Sequence, residues 1–407
     1  YGTPLYVISE STVRHNCYRY KKAAAEYPGD FSIAYASKAF ICQAMCHLVA
    51  DAGLYLDVIS LGELLTALSS NFPSQRIIFH GVNRSQQELD LAIEHGVGRI
   101  VVDNFFELDK VAELATARKQ TVDLLIRVAT GVKPNTHEYV QTSLAASKFG
   151  FNLADLPQVF AFCQARPLLR VRGFHSHIGS QILAVRPFTE NLNILMQLLA
   201  TWQDQIPSLN ELNLGGGLGS YYTAGDLELG IESYMSAIIA TATCTAQKLG
   251  IALPRLAVEP GRSIINDAGI TLYRVGGSKT IGNGSHKYVF VDGGMADNIR
   301  PALYGSCYEA AIANRATEAA TERVSVAGRC CESGDMLVWE TMLPASLPGD
   351  LLVVGRTGAY NYSMASNYNR LPKPPVVLVT NGQAELIVRG EKWSDLIRLD
   401  MIPEHLR

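Results

Sequence analysis

Residues 31–60 decide the fold and read FSIAYASKAFICQAMCHLVADAGLYLDVIS. Two short runs rich in aromatic and β-branched side chains, 31–36 and 55–60, flank a longer segment with a helical pattern. This order predicts a strand, a helix and a second strand. Two consecutive strands joined through a helix are parallel, so the stretch predicts one unit of a parallel sheet.

The same unit recurs along the chain, with seven predicted helices between eight predicted strands. Residues 85–88 carry capping-box spacing at the start of one helix. Eight units over about 240 residues predict a closed (β/α)8 TIM-like barrel within the α/β class. The predicted strands are 31–36, 55–60, 76–81, 99–104, 122–129, 169–177, 211–214 and 255–258.

After residue 270 the sequence pattern changes to predicted strands separated by turns that contain Gly, Pro and Asn. We therefore expect a barrel over 26–270 and a mostly β domain, a barrel or sandwich, over 271–407. A chain of 407 residues is long enough for two domains. The strands predicted here are 287–292, 323–327, 336–340, 351–355 and 376–380.

Composition favours a small-molecule enzyme. The net charge is -3 without a basic run, which argues against nucleic-acid binding. The sequence lacks both an apolar stretch of about 20 residues and the zones of a signal peptide, which predicts no membrane association and a cytoplasmic location. Eight scattered cysteines lack the spacing of a zinc site, so no metal is expected.

Polar residues and glycines recur where the predicted strands end, on the face that carries barrel active sites. His175 and His177 lie two apart on one strand, so their side chains share a face, and one of the two could be satisfied within the fold. The residues at the strand ends are Lys38, Asp57, His80, Arg127, His177, 215–217 and Glu259.

Taken singly, each signal has a plainer interpretation. Lys38 alone is typical of a solvated lysine, and the glycines at 215–219 suit a flexible connection as well as an anion-binding loop. Asp57 and Arg127 could form a structural ion pair instead of supporting a cofactor. Residues 259–262, Glu-Pro-Gly-Arg, could simply terminate a strand.

Taken together, the motifs resemble the fold-type III pyridoxal-phosphate decarboxylases, and most closely the diaminopimelate decarboxylases, nearly from end to end. Departures occur at Val82, Arg84 and Ala146, where Asn, Lys and Asp are frequent, and they affect loop contacts. The matching stretches are YGTPLY (1–6), YASKA (35–39), FHG (79–81), SKFGF (147–151), HIGSQ (177–181), GGGLG (215–219), EPGR (259–262), RPALY (300–304), CESGD (331–335), GAY (358–360) and SMASNYN (363–369).

The resemblance implies that pyridoxal 5'-phosphate is the cofactor and that Lys38 carries it covalently. His177 would stack on the pyridine ring and Glu259 would pair with the ring nitrogen, where a carboxylate favours the protonated form. Asp57 and Arg127 would support the cofactor. The residues expected to hold the phosphate, or the substrate near it, are Ser180, Gly216, Gly217, Gly261, Arg262 and Tyr360.

The resemblance also implies a homodimer with shared active sites, in which residues 1–25 join the β domain. Cys331 of the partner subunit would donate a proton to the substrate carbanion. We prefer it to its neighbour Cys330 because it directly precedes the Glu332-Ser333-Gly334-Asp335 run, although a purely structural thiol is the alternative.

The substrate implied by the family is meso-2,6-diaminopimelate, which is converted to L-lysine. Its distal carboxylate would meet arginines and its distal ammonium would meet Glu332. Related enzymes for ornithine, lysine, arginine or carboxynorspermidine, an alanine racemase, and a non-catalytic relative are the alternatives. The expected substrate-binding residues are Arg262, Arg300, Tyr304, Glu332 and Tyr360.

Overall fold

The computed structural model describes residues 1–133, 148–226, 229–284 and 286–407. Ala146 and Ser147, which belong to the family comparison above, lie outside the described residues. The chain divides into two compact units. One consists of 14–220 and 229–264, and the other of 1–13, 221–226 and the described residues from 265 onward.

The chain begins with strand β1 (Leu5–Ser9) and helix α1 (Glu10–Ala24). Eight parallel strands then close into a barrel in sequence order, so the predicted fold class is confirmed. The barrel strands are β2 (Phe31–Ala36), β3 (Tyr55–Val58), β4 (Ile77–Phe79), β5 (Arg99–Val102), β6 (Val122–Arg127), β7 (Leu169–His175), β8 (Glu211–Asn213) and β9 (Arg255–Val258).

One long helix lies between each pair of consecutive barrel strands, as predicted. The capping box is also confirmed, because Ser85 and Glu88 exchange both hydrogen bonds. The helices of this unit after α1 are α2 (Gln43–Asp51), α3 (Leu61–Ser69), α4 (Gln86–Glu94), α5 (Phe105–Arg118), α6 (Leu156–Gln164), α7 (Arg186–Trp202), α8 (Ile231–Leu249) and the short α9 (Arg262–Ile265).

Several barrel strands end earlier than predicted. Ser60 was expected in a strand, but its hydroxyl accepts from the backbone N–H of Glu63 and so caps α3. Asn104 caps α5 in the same way. A side chain that caps a helix needs a backbone outside the sheet ladder, so these strands stop at Val58 and Val102.

The barrel interior is apolar at mid-height. Ala34, Ile78, Val101 and Leu125 form one buried cluster contributed by four different strands. Such filling makes the barrel a packed core, which leaves the strand ends as the place for chemistry. Among the described residues, no helix has both the length and the apolar character that a membrane crossing requires.

The second unit is mostly β, as predicted. Its sheet runs in the order β14-β13-β11-β10-β1-β16-β17, with β15 pairing β10 and β12. β1 is antiparallel to β10 and parallel to β16. The remaining elements are β10 (Gly269–Ile281), β11 (His286–Val291), α10 (Arg300–Tyr304), β12 (Ala310–Ile312), β13 (Glu322–Ala327), β14 (Met336–Leu343), β15 (Leu351–Val354), β16 (Val376–Thr380), β17 (Gln383–Val388) and α11 (Trp393–Ile397).

Candidate active site

A cavity of about 420 Å³ lies among residues at the carboxyl ends of the barrel strands. Its volume is within the range of small-molecule sites. It brings together five of the sequence-predicted site residues, and His80 and His175 line it with them. The five are Lys38, Asp57, Arg127, His177 and Glu259.

Glu259 is the most densely hydrogen-bonded group of this cavity. Its Oε1 accepts from Nε2 of His80 at 2.8 Å and from Nδ2 of Asn213 at 2.7 Å. Its Oε2 lies 3.2 Å from Nε2 of His175. All four side chains are buried, so the directions of these groups are fixed by packing as well as by hydrogen bonds.

The two acids of the cavity differ in their preferred protonation state. Burial by itself would raise the pKa of Glu259, but His80 and His175 outweigh it and hold the pKa well below the ordinary value. Burial raises the pKa of Asp57, against the opposing effect of His80. Glu259 is therefore the stronger acid of the two, and it is ionised in this cavity.

The two histidines predicted to share a face both reach the site. His175 ends β7 and points Nε2 at Glu259, whereas His177 accepts a hydrogen bond at Nδ1 from the backbone N–H of Gly216 at 3.2 Å. Burial lowers the pKa of His177 well below its ordinary value. A neutral imidazole at His177 presents a flat, uncharged ring to the cavity.

Lys38 and Arg127 occupy the places predicted for them. Lys38 lies in the single turn Ser37–Ala39 that follows β2, half-buried at the cavity. Arg127 ends β6 and its guanidinium lies 4.4 Å from the ring centre of Phe149. Within the described ranges Asp57 and Arg127 form no direct ion pair, and Oδ1 of Asp57 lies 3.6 Å from Nε2 of His80.

The glycine run after β8 is held in place and is not a flexible connection. Ile182 donates to the carbonyl of Gly217 at 2.9 Å, and Gly219 donates to the carbonyl of Ile182 at 3.0 Å. A Cβ on Gly216 would lie 2.3 Å from the carbonyl oxygen of Glu259. The close approach of these two backbones therefore requires glycine there.

Two further predicted anion-binding residues meet beside this run. Arg262, the first residue of α9, donates from Nη2 to Oγ of Ser180 at 3.0 Å. Gly261 precedes it, and Gly217 has φ +118°, a backbone conformation that favours glycine. A Cβ on Gly217 would also lie 2.5 Å from the carbonyl oxygen of Gly179.

The departure from the family pattern at Arg84 has a structural consequence. Arg84 is buried and donates to both carboxylate oxygens of Glu107, at 2.9 and 3.0 Å. It also donates to the carbonyl oxygens of Phe79 and Val101. These bonds tie the loop after β4, which begins with His80, to β5 and α5.

In the β unit, Arg300 lies in an aromatic enclosure. Its guanidinium carbon is 5.2 Å from the ring centre of Tyr304, 5.6 Å from that of Tyr360 and 5.8 Å from that of Tyr222. Its Nε donates to the hydroxyl of Tyr308 at 3.1 Å. Burial opposes the charge, but Tyr222, Tyr308 and Tyr360 outweigh it and raise the pKa of Arg300.

Arg300 is also a buried cation without a carboxylate partner among the described residues. Buried arginines are ordinarily paired with an acid or an anionic ligand. The four tyrosines supply ring faces and one hydroxyl, which stabilise the charge without neutralising it. The arrangement therefore suits the binding of a carboxylate.

The two adjacent cysteines of the β unit differ in exposure. Burial raises the pKa of Cys330 to about 11, whereas Cys331 is exposed and its backbone N–H donates to Oδ1 of Asn369 at 2.8 Å. Asp335 anchors this loop by accepting from the backbone N–H groups of Cys330 and Met295, both at 2.6 Å. Glu332 is exposed on the same loop.

Sequence reasoning missed several residues of these sites, among them Tyr308 beside Arg300. Asn213 contacts Glu259, and its position just before the glycine run was the available signal. His175 was treated as possibly satisfied within the fold, although it also contacts Glu259. Tyr222, which borders Arg300, had no signal, because only the fold brings residue 222 near residue 300.

A nitrogen of His80, a nitrogen of His175 and an oxygen of Glu259 all lie within 4.8 Å of one another. Such proximity also occurs in metal sites, but here the imidazole-to-carboxylate hydrogen bonds account for it. The expectation that the protein needs no metal stays a prediction.

Comparisons with known proteins cover nearly the whole chain. The family model for the pyridoxal-binding domain of pyridoxal-dependent decarboxylases matches residues 11–266. Diaminopimelate decarboxylase of Bacillus subtilis (strain 168) is 46% identical over 404 residues, which cover 98% of this chain and 92% of that protein.

Solved structures show the same similarity as the sequence comparisons. Crystal structures of diaminopimelate decarboxylase from M. jannaschii, one of them in complex with L-lysine, superpose with TM-scores of 0.93 and 0.92 at 33% identity. Each comparison covers 100% of this chain and 94% of the other. Likeness of this extent in both sequence and fold shows that the chain belongs to the diaminopimelate decarboxylase family of pyridoxal-dependent enzymes.

Proposed function

We propose that this chain decarboxylates meso-2,6-diaminopimelate to L-lysine and carbon dioxide, the last step of lysine biosynthesis. The observation that carries the proposal is the barrel cavity, which is lined by an amine and an ionised carboxylate and whose His177 accepts a hydrogen bond from the glycine run. These are the groups that pyridoxal phosphate requires to be held and activated. The substrate is the one named for the relatives described above.

The cavity residues fit this cofactor. Oδ1 of Asp57 and Nδ1 of His175 are buried and have no hydrogen-bond partner among the described residues, which leaves polar atoms in the site that could contact a ligand. A Cβ on Gly216 would lie 2.3 Å from the carbonyl oxygen of Glu259, so only glycine lets the backbone approach this closely to the residue that would pair with the cofactor ring. Pyridoxal phosphate, when bound, supplies an electron sink for the electron pair left when carbon dioxide departs.

We assign the cofactor-binding roles as follows. Lys38 carries the cofactor covalently, His177 lies against the ring, and Glu259 keeps a proton on the ring nitrogen. Asp57 and Arg127 support the ring from the ends of their strands. The phosphate is held by Ser180, Gly216, Gly217, Gly261, Arg262 and Tyr360.

Substrate selection is assigned to the distal end of the molecule. Arg300 binds the distal carboxylate, and its lack of an acidic partner in the described chain supports this role. Glu332 binds the distal ammonium, and Tyr304, Tyr360 and Arg262 complete the contacts. A carboxylate–guanidinium pair and an ammonium–carboxylate pair are both charge-assisted, which gives them specificity as well as strength.

Proton delivery to Cα is assigned to Cys331. Its exposure supports the role, because a proton donor that serves a second subunit must lie at the surface of its own. We therefore propose a homodimer in which each active site combines Lys38 of one subunit with the partner's Cys331. The division into a cofactor-binding barrel (26–270) and a β domain (271–407, with 1–25) remains part of this proposal.

The shared-site proposal is tested by mixing two inactive proteins. Lys38→Ala and Cys331→Ala are each expected to be nearly inactive. After random subunit exchange, half of the dimers are mixed and each holds one intact site, so about a quarter of native activity returns. No recovery despite demonstrated exchange would place both residues in the site of one chain.

The cytoplasmic location is likewise a proposal. All eight cysteines lie in the described part of the chain and all are free thiols. Free thiols are typical of reducing compartments. Fractionation of cells that express the full-length protein tests it.

The activity itself is tested with purified, cofactor-loaded protein and meso-diaminopimelate. We expect lysine and carbon dioxide to appear in equal amounts. Lys38→Ala serves as the inactive control for contaminating enzymes. Release of carbon dioxide without lysine, or turnover of ornithine alone, would refute the proposed substrate.

A further inference from the structure

Three side-chain donors converge on Glu259 from three different barrel strands. His80 follows β4, His175 ends β7 and Asn213 ends β8, whereas Glu259 follows β9. Their donor atoms lie 2.8, 3.2 and 2.7 Å from the carboxylate oxygens. The proposed decarboxylation assigns no role to His80, His175 or Asn213.

One of the two imidazole donors, His175, is a neutral group. Nδ1 of His175 is buried and has no hydrogen-bond partner within the described part of the chain. A doubly protonated ring would place an unpaired N–H there, in a buried site, at a large cost. The proton is therefore on Nε2, where it faces the carboxylate, and the ring bears no net charge.

The net charge at Glu259 depends on whether its hydrogen-bond donors are neutral or cationic. A cationic partner would cancel its charge, whereas a neutral donor stabilises the ionised form and leaves the negative charge in place. A carboxylate held in this way still attracts a proton to a neighbouring ring nitrogen. The carbanion formed by decarboxylation depends on that proton.

We propose that His80, His175 and Asn213 are positioning residues that hold Glu259 ionised and correctly oriented for the pyridine nitrogen of the cofactor. The inference rests on the proposed function and deepens it. Asn213 has a second task, because its Oδ1 accepts from the backbone N–H of Gly215 at 2.9 Å. One amide thus fixes both the carboxylate and the start of the glycine run.

His80 is itself held in place. Its ring packs edge-on against that of His175, with ring centres 4.6 Å apart. Its Nε2 has Glu259 at 2.8 Å on one side and Asp57 at 3.6 Å on the other. The 2.8 Å contact with an ionised carboxylate oxygen requires a hydrogen on this nitrogen, so His80 donates to Glu259.

The test compares a variant that deletes the donor with one that preserves it. His80→Met removes the N–H and keeps a side chain of similar size, whereas His80→Gln places an amide N–H near the former Nε2. Holoenzymes are loaded with pyridoxal phosphate labelled with ¹⁵N in the ring, and the nitrogen signal reports its protonation directly. The kinetic constants kcat and KM for meso-diaminopimelate are measured on the same samples.

In His80→Met we expect the nitrogen signal to move toward that of the unprotonated ring. The kcat should fall by about tenfold to a hundredfold, the range expected for a hydrogen bond to a charged group, while KM changes little. His80→Gln should keep the wild-type nitrogen signal and most of kcat. An unchanged signal in His80→Met, or equal losses in both variants, would overturn the proposal, since either result indicates packing alone.

The matched pair His175→Met and His175→Gln repeats the test at an independent donor. If His80→Met does not fold or does not bind the cofactor, the His175 pair tests the positioning role in its place. The results expected for the His175 pair, and those that would contradict the proposal, are the same as for the His80 pair. The nitrogen signal requires no turnover. A chain that bound the cofactor but left diaminopimelate intact would therefore refute the proposed function while the signals still decided the positioning roles.

Discussion

Nε2 of His175 lies 3.2 Å from Oε2 of Glu259, while Nδ1 of the same ring is buried and has no hydrogen-bond partner in the described ranges. Burial lowers the pKa of His175 to about 4, against the opposing attraction of Glu259. In the unfolded chain a histidine titrates near its ordinary pKa of about 6.5. The folded and unfolded states therefore bind different numbers of protons between these two values.

This difference predicts a pH dependence of stability. Between about pH 6.5 and 4 the unfolded chain binds a proton at His175 that the folded chain does not, so this contribution is present above pH 6.5 and is lost as pH falls toward 4. The slope from one group is at most about 1.4 kcal/mol per pH unit. In urea unfolding of the cofactor-free protein, His175→Gln should lose less stability than wild type between pH 7 and pH 5. Parallel pH curves would contradict the assignment.

Lys38 is predicted to be the lysine that carries the cofactor. Lys148 provides a matched control, because it lines the same cavity. Borohydride reduction of the holoenzyme should fix the cofactor on the peptide that contains Lys38, as read by mass spectrometry. Lys148→Ala should leave this adduct in place, and Lys38→Ala should abolish it. Mapping of the adduct to Lys148 would show that the assignment is wrong.

Arg300 is predicted to set the preference for a substrate with a distal carboxylate. Wild type should favour meso-diaminopimelate over lysine by at least about a hundredfold in kcat/KM, because lysine lacks a distal carboxylate and the buried guanidinium has none from the described residues. Arg300→Met should erase much of this preference by harming turnover of diaminopimelate while scarcely changing that of lysine.

Arg356→Met is the control for that experiment. Arg356 also packs on an aromatic ring of the β unit, with its guanidinium carbon 3.6 Å from the ring centre of Tyr221, but it pairs with Glu309. The loss of this arginine should leave the substrate preference intact. Equal damage to every substrate in Arg300→Met would remove the specificity role.

The Arg84–Glu107 pair is predicted to stabilise the barrel rather than to act in chemistry. Both side chains are almost fully buried, so Arg84→Met strands a buried carboxylate and should lower the free energy of unfolding by about 3–5 kcal/mol. The double variant Arg84→Met/Glu107→Leu should be clearly more stable than Arg84→Met in denaturant unfolding. If the single variant unfolded like wild type, the pair would be energetically unimportant.

The barrel could be predicted because its signal is local. Each strand is a short apolar run, and each following helix has its own start signal, such as Ser85 with Glu88. The β unit was predicted less fully: the strands β1, β10, β12 and β17 were not identified. Strand β17 has four exposed residues in succession, so it lacks the alternation by which a half-buried strand is recognised.

The residues of the site also fall into those that the sequence could predict and those that it could not. Lys38, Asp57, Arg127, His177 and Glu259 were found because they lie at strand ends, and the barrel brings them to one cavity. The contact of Tyr222 with Arg300 could not be predicted, since no sequence rule links positions so far apart. The hydrogen bond from Asn213 to Glu259 also depends on the register in which β8 and β9 pair, with Asn213 opposite Ala257.

The most direct test of the account is a competition between substrates in one tube. Holoenzyme is given equal concentrations of ¹³C-labelled meso-diaminopimelate and of unlabelled ornithine, arginine and lysine, so that lysine formed from diaminopimelate differs in mass from the added lysine. The decarboxylated products are quantified by mass spectrometry early in the reaction. Product ratios then equal the ratios of kcat/KM. We predict that lysine, formed from diaminopimelate, exceeds all other products together by at least about a hundredfold. Putrescine, agmatine or cadaverine as the main product would contradict the central claim.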